Sequence, residues 1–506
     1  MNETRLALLA CSVLAALTTP VRGAEPPPTA ATPSATLTEA QALARAVEHN
    51  PTLRAALIEL ERAGLSVRGE QYRYRPTFIV DGGYLHRATP SLRAGGIDTS
   101  TTDSLTLSSE ITQSLPIGMQ LGAELAFART AQTYVNPTGA GSIELGPAYG
   151  LDLTFSVSQP LLRDLGRSAG LSALRTAEAQ RDAASYAAER TASEVVQAVL
   201  GAHWELWYSE QALAIQEEAL AVAQRQLREA EFRAEAGGLA PADVLPFRRD
   251  VAAIEEALLN AKTLVRTRTL ELVRQVGIPI GGGGELHAAG PPSPAETLPV
   301  LSETLTLARD ASPQLAELRA TVETARVSAE LARNQARPRL DANVWLTLSG
   351  LGDDSVGPAF EQVGAHDAVS AFAGLRFEMP VNRTALRAEE ARARLAVDAA
   401  EQRLLDADER LAQAIAERFQ QLDAARERVR LVETTVRYSR EAGEAQLERF
   451  NAGVGISLEL LKARQDVIES ELRLVRAQVD LALLRVDIDH LSGSLLGARD
   501  VRLNPR

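Results

Sequence analysis

Two rhythms of apolar and polar residues divide this chain. The first repeats every second residue. Met119, Leu121, Ala123, Leu125 and Phe127 alternate with Gln120, Gly122, Glu124 and Ala126. Leu151, Leu153, Phe155 and Val157 alternate with Asp152, Thr154, Ser156 and Ser158. Leu340, Ala342, Val344, Leu346 and Leu348 alternate with Asp341, Asn343, Trp345 and Thr347. Leu375, Phe377 and Met379 alternate with Gly374, Arg376 and Glu378. Weaker sets run through Phe78, Val80, Gly82 and Tyr84, and through Leu105, Leu107, Ser109 and Ile111. Side chains two apart share one face of a strand. The spacing therefore predicts six strands, four within residues 77–160 and two within 339–380. Leu115-Pro116-Ile117-Gly118 reads as a tight turn, and residues 87–103, 132–147 and 350–369 as longer loops. Such alternation fits a soluble half-buried strand, and over about ten residues it is also the mark of a transmembrane β-barrel strand.

The second rhythm is helical. Residues 164–236 and 382–452 are long runs rich in Ala, Glu, Gln and Arg, ending at Gly237-Gly238 and at Gly453-Val454-Gly455. Shorter helices are predicted over 242–276 and 457–496, and others over 38–75 and 301–337. A helix of ~70 residues is about 105 Å long, and two of the shorter ones stacked end to end match it. Rods of this length need a coiled-coil or barrel context. Alanine permits close packing, and Glu and Arg cover wet faces. Helix length alone fits a solvated coiled coil without a pore equally well; the six strands argue for a channel.

The pattern occurs twice. Asn50-Pro51-Thr52-Leu53 precedes Arg75-Pro76, and Ser312-Pro313-Gln314-Leu315 precedes Arg337-Pro338, with the same separation of 25 residues. Val244-Leu245 and Asp250 correspond to Leu460-Leu461 and Asp466. A first repeat over 37–276 and a second over 301–497 follow, with a linker at 277–300 and a tail at 498–506. The fold class is α plus transmembrane β: a duplicated unit of helix, strands, long helix and helix.

Residues 1–24 read as a secretory signal, with Arg5 ahead of an apolar run at 6–17 and cleavage after Gly23 or Ala24. That run is too short to span a bilayer of ~30 Å. A rival reading makes Cys11 a lipidation site. Residues 25–36 read as a loose Pro/Ala-rich tail. No later segment is apolar enough for a membrane helix, so any crossing is by strands. A net charge of −13 argues against nucleic acid as partner. Nothing calls for a cofactor or a metal: the six histidines are scattered, and Gly281–Gly284 lacks the Lys-Ser or Lys-Thr of a phosphate loop. His203, beside Trp204 and Trp207, reads as packing or groove-facing. No enzyme is indicated.

The repeat spacing, Gln159-Pro160-Leu161-Leu162-Arg163 and Phe450-Asn451-Ala452-Gly453-Val454 together resemble the TolC outer-membrane efflux family over nearly all of residues 37–497. The resemblance implies a homotrimer. Its protomers share a β-barrel in outer-membrane lipid and a long periplasmic α-helical barrel. It also implies a periplasmic membrane-fusion adaptor and, beyond it, an inner-membrane pump. The function implied is a passive exit duct for efflux or type I secretion; the alternative is a periplasmic adaptor or scaffold with no pore. Family members usually contribute four strands each, whereas six here predict a barrel of eighteen, unless residues 105–129 form a hairpin outside the wall. The strand-to-helix junctions fall at Pro160 and Pro380. The periplasmic gate maps onto Gly237, Gly238, Asp243, Phe450, Gly453, Gly455 and Glu459. Asp243 and Glu459 match acidic gate positions, and Phe450 an aromatic at the constriction. Either carboxylate suits a pore-lining ring or simply a helix start. Gly455 stands where an arginine latch is expected, and Lys462 where a second gate aspartate is, so closure is expected to depend on packing around Phe450.

Overall fold

The computed structural model describes residues 35–93, 96–135, 142–279, 286–292 and 300–502. The expectations for the signal, Cys11 and Gly281–Gly284 lie outside them. The first repeat holds β1 (Ala35–Leu37), α1 (Glu39–His49), α2 (Pro51–Tyr72), β2 (Thr77–Arg93), β3 (Gly96–Ser114), β4 (Gln120–Val135) and β5 (Ser142–Pro160). It continues through α3 (Arg167–Gly170), α4 (Ser172–Glu235), a 3-10 turn (Pro241–Val244) and α5 (Leu245–Val276). After β6 (Leu286–Ala288), the second repeat holds α6 (Leu301–Ala311), α7 (Pro313–Gln335), β7 (Arg339–Gly352), α8 (Gly357–Ala365), β8 (Val369–Glu378), α9 (Thr384–Asn451), α10 (Ser457–Leu491) and α11 (Leu495–Ala498).

The helices expected over 38–75 and 301–337 are each broken in two. Proline has no N–H to give and pushes the residue before it out of the α region. Asn50 (φ −64°, ψ 122°) and Ser312 (φ −64°, ψ 118°) are accordingly extended, and Pro51 and Pro313 open the next helix. Asn50 does more than cap. Its Oδ1 accepts from the Thr52 and Leu53 amides at 2.9 and 3.2 Å, and its Nδ2 donates to the Gln275 carbonyl at 2.8 Å. Ser312 makes no such side-chain cap.

β2-β3-β4-β5-β7-β8 form one antiparallel sheet in that order. The β5–β7 pair joins the repeats. Register places Phe78, Ile111, Ala123, Phe155, Leu346 and Ala371 in one row across all six strands, on a single face. The neighbouring row, on the opposite face, is Ile79, Glu110, Glu124, Thr154, Thr347 and Ser370. One face is thus apolar and the other largely polar. Among the described residues nothing covers most of the apolar face: Phe78, Phe155 and Phe377 are 65%, 46% and 61% exposed. α8 covers only one end, where a Cβ on Gly350 would lie 2.0 Å from the Ala359 carbonyl oxygen.

The strands outrun the expected loops. β2 and β3 pair over residues 87–93 and 96–103, as in Thr89↔Ser100. Threonines fill this stretch and favour extended backbone. α8 occupies much of 350–369. Composition predicts a loose tail up to residue 36 and a linker over 277–300, yet β1 pairs in parallel with β6, Leu37 opposite Ala288. Three-residue strands so far apart carry no local signal. Leu37 and Leu286 bury against Val273, which clasps the start of the first repeat to the chain beyond its end.

The main core joins α1, α4, α5 and α10 through Ala46, Leu200, Leu272 and Val486. His203 is packed here, 1% exposed, with Nε2 3.1 Å from the Leu37 carbonyl oxygen. Asn50→Ala should cost about 1–2 kcal/mol, because the cap and the tie to α5 are both lost. Ser312→Ala should cost well under half of that. Denaturant titration of the two variants checks the difference.

Candidate functional site: the helical tip and the apolar belt

At one end of the molecule, both long helices turn back through glycine. α4 closes at Gly237 (φ +76°), with the Gly238 amide donating to the Arg233 carbonyl at 2.8 Å. α9 closes at Gly453 (φ +76°), with the Val454 amide donating to the Arg449 carbonyl at 3.1 Å. Glycine adopts this left-handed backbone without the strain that a Cβ brings. Gly455 is constrained differently. Its amide also donates to the Arg449 carbonyl, at 3.0 Å, and a Cβ there would lie 2.8 Å from the Phe450 nitrogen. The chain folds back too closely for the arginine that the resemblance implies.

Phe450 lies beneath the two turns. It is 9% exposed and packs with Ala230, Phe247, Leu460 and Leu461. Its ring centroid is 5.8 Å from that of Phe247, so the two repeats meet through an aromatic pair. The Arg233 guanidinium lies 5.2 Å from the Phe450 ring centroid and also donates to Asn451 Oδ1 at 3.1 Å. Asp243, in the 3-10 turn, and Glu459, in the first turn of α10, are both exposed at helix starts. There the free N–H groups favour an acid. Lys462 is exposed as well.

One polar contact at this end was missed by sequence reasoning. Arg464 of α10 donates to Asp250 of α5 at 3.1 Å, to Gln226 of α4 at 3.0 Å, and to the Ala219 carbonyl. Three helices are tied by one mostly buried guanidinium. Asp250 had marked a repeat correspondence, but its partner lies 214 positions away. Burial raises the Asp250 carboxyl above its ordinary value, against the pull of Arg464, and burial lowers Arg464. The folded state therefore holds the Asp250 proton more tightly than the unfolded chain does. This group favours folding more as pH falls, and that contribution is lost as pH rises through its folded pKa.

At the other end, Pro160 closes β5 and Pro380 follows β8, so both stand where strand gives way to helix. The apolar face of the sheet ends, on the side away from the Pro116 turn, in a polar-aromatic rim. Tyr84 Oη donates to Asp103 at 2.7 Å, His86 Nδ1 lies 2.7 Å from the same carboxylate, and Arg129 stands 6.0 Å from the Tyr149 ring. Tyrosines at such a rim suit a membrane–water boundary. From Leu340 to Leu348 the apolar stripe, tilted by about 40°, rises on the order of 20 Å, close to the band of an outer-membrane barrel.

The comparison with known families decides the assignment: residues 150–277 and 304–494 match the model of the outer membrane efflux protein family. The chain belongs to that family. This efflux protein is similar in fold to the CmeC outer membrane channel of Campylobacter jejuni, with 14% identity, a TM-score of 0.68, and 90% of this chain and 86% of that one covered. It is also similar to the outer membrane protein VceC of Vibrio cholerae, at 16% identity and a TM-score of 0.64, covering 90% and 96%. The open-state MtrE channel of Neisseria gonorrhoeae aligns at 15% identity and a TM-score of 0.65, covering 92% and 90%. No curated protein matches the sequence. The protein is an outer membrane efflux protein.

Phe450→Ala should weaken the tip by about 3 kcal/mol through lost transfer energy and the cavity left behind. Amide exchange should quicken in both turns, around residues 237 and 453, and stay unchanged near Leu200. Gly455→Arg should produce the same pattern by displacing the Phe450 backbone. Protection unaltered in the first repeat's turn would mean that Phe450 does not link the two.

Proposed function

We propose that three copies of this chain assemble into a passive exit duct for a tripartite efflux or type I secretion system. The observation that carries this is the two-sided sheet: an apolar face left bare across six strands, backed by a largely polar one, with long rods leading away from it. α4 has 64 residues and α9 has 68, so each reaches on the order of 100 Å at about 1.5 Å per residue. One protomer's strands are too few to enclose a wide pore. Three close a barrel whose apolar face meets outer-membrane lipid and whose polar face meets water.

The helical tip is the inner door. A periplasmic membrane-fusion adaptor docks on it and joins the duct to an inner-membrane pump. The duct itself performs no chemical step; the pump chooses the cargo and supplies the energy. Asp243 and Glu459, exposed at the tip and repeated three times, form acidic rings that favour cations at the entrance. Phe450, its ring packed on Phe247 and under Arg233, sets how far the two turns part. Closure here rests on that packing, since Gly455 replaces the arginine latch.

Fractionation should place the protein in the outer membrane as a heat-modifiable trimer, and in planar bilayers it should conduct weakly until opened. Phe450→Ala should raise the closed-state leak several-fold, while Glu459→Gln should reduce cation preference without raising the leak. A soluble periplasmic protein would refute the duct. An unchanged leak in Phe450→Ala would refute the role given to that ring.

A further inference from the structure

We infer that all six strands of each protomer stand in the membrane wall, so that the assembled barrel has eighteen strands. This rests on the trimeric duct proposed above. β3 and β4 are the strands in question, because a hairpin of their length could lie outside a twelve-stranded wall.

Their position in the sheet argues against that. β3 and β4 lie between β2 and β5, hydrogen-bonded on both sides, as in the series Gly82↔Leu107, Leu107↔Phe127 and Phe127↔Leu151. β2 and β5 share no pairing of their own. Removing the hairpin from the wall would break the β2–β3 and β4–β5 ladders along their length and require β2 and β5 to pair anew, since neither may keep a bare edge in hydrocarbon.

The two faces agree. Leu107, Ile111, Leu125 and Phe127 carry the apolar face from β2 to β5, with Ser109 the one polar side chain in these three rows. On the opposite face, Glu110 of β3 and Glu124 of β4 are direct cross-strand partners. Two like charges side by side need water, and Asp81 and Asp152 lie two residues further along the strands, on the same face. A hairpin folded into solvent would wet both faces and would have no use for such a division.

The turn between β3 and β4 is built into the helical end. The Gly166 amide donates to the Ile117 carbonyl at 3.2 Å, and Gln113 Nε2 donates to the Tyr74 carbonyl at 3.3 Å. Tyr74 Oη in turn donates to the Gly170 carbonyl at 2.6 Å. A Cβ on Gly170 would lie 2.2 Å from the Pro116 carbonyl oxygen, and one on Gly118 would lie 2.4 Å from that of Asp164. Two glycines thus let the turn seat against the strand-to-helix junction. A displaced hairpin could not keep that seat.

A second copy closes the remaining edges. The strand count is even, so β2 runs outward from its helix and β8 runs back toward α9. The β8 edge of one protomer therefore meets the β2 edge of the next in antiparallel fashion. At about 4.8 Å between strands and about 40° of tilt, eighteen strands give a backbone radius of about 18 Å, against about 12 Å for twelve. The outer barrel is then wider than a twelve-stranded one, and the size filter of the duct lies at the helical tip.

Electron cryomicroscopy of the full trimer in lipid nanodiscs counts the strands directly. Eighteen in one closed wall, with the turn at Pro116 facing the helical barrel, is the expected result. A trimeric channel with a twelve-stranded wall and the β3–β4 hairpin outside it would overturn this inference and leave the duct intact. A particle with no continuous lumen would overturn both.

Discussion

A peptide group in hydrocarbon has no water to bond, and this one constraint organises the molecule. Every N–H and C=O within the lipid layer must find a partner in protein, so the strands pair along their length and the sheet must close on itself. Closure fixes register, and register fixes faces, because a slip of one residue would send every apolar side chain to the wrong side. The row from Phe78 to Ala371 crosses six strands and the junction between two repeats without losing its face. The bare greasy face and open edges of a single copy are the same fact seen twice: the protomer is a segment of a wall.

The helical end answers a different demand. There the medium is water, and the chain reverses direction through αL glycines over a small apolar cluster. Each turn is shaped by its own repeat, whereas Phe247 and Phe450 come from different repeats and touch only in the folded chain. Arg464 adds a second tie a little further along the rods, between α5, α10 and α4. Burial makes that tie expensive in isolation, and removing either partner leaves the other charge stranded. The tip is thus held by an aromatic pair, the Arg233 contacts to Phe450 and Asn451, and a buried ion pair, all spanning the repeats.

Much of this could be read along the chain, because the signals are periodic or local. Alternation from Leu340 to Leu348 marked a strand and its two faces. Gly237 and Gly453 marked the turns, since positive φ excludes most other residues. Pro76 and Pro338 marked where helix yields to strand, although Pro51 and Pro313 were also breaks that the helical pattern concealed. What escaped was long-range or permissive. The β1–β6 clasp is three residues paired with three. Arg464 has many arginine neighbours in composition, and nothing nearby names Asp250 as its partner. The reach of β2 and β3 into residues 87–103 comes from pairing between the two, which serines and threonines allow but do not announce. Gly455 looked like a lost arginine; the close approach to Phe450 shows why this backbone has no room for one.

The claim beneath all of this is that one side of the sheet touches lipid and the other touches water. Nitroxide labels placed singly at residues 153–158 of β5, in the assembled protein in membranes, report contact with dissolved oxygen or with an aqueous nickel chelate. Labels replacing Leu153, Phe155 and Val157 should meet oxygen and exclude the chelate, while those replacing Thr154, Ser156 and Ser158 should do the opposite. Equal access of the chelate to all six positions would contradict the account.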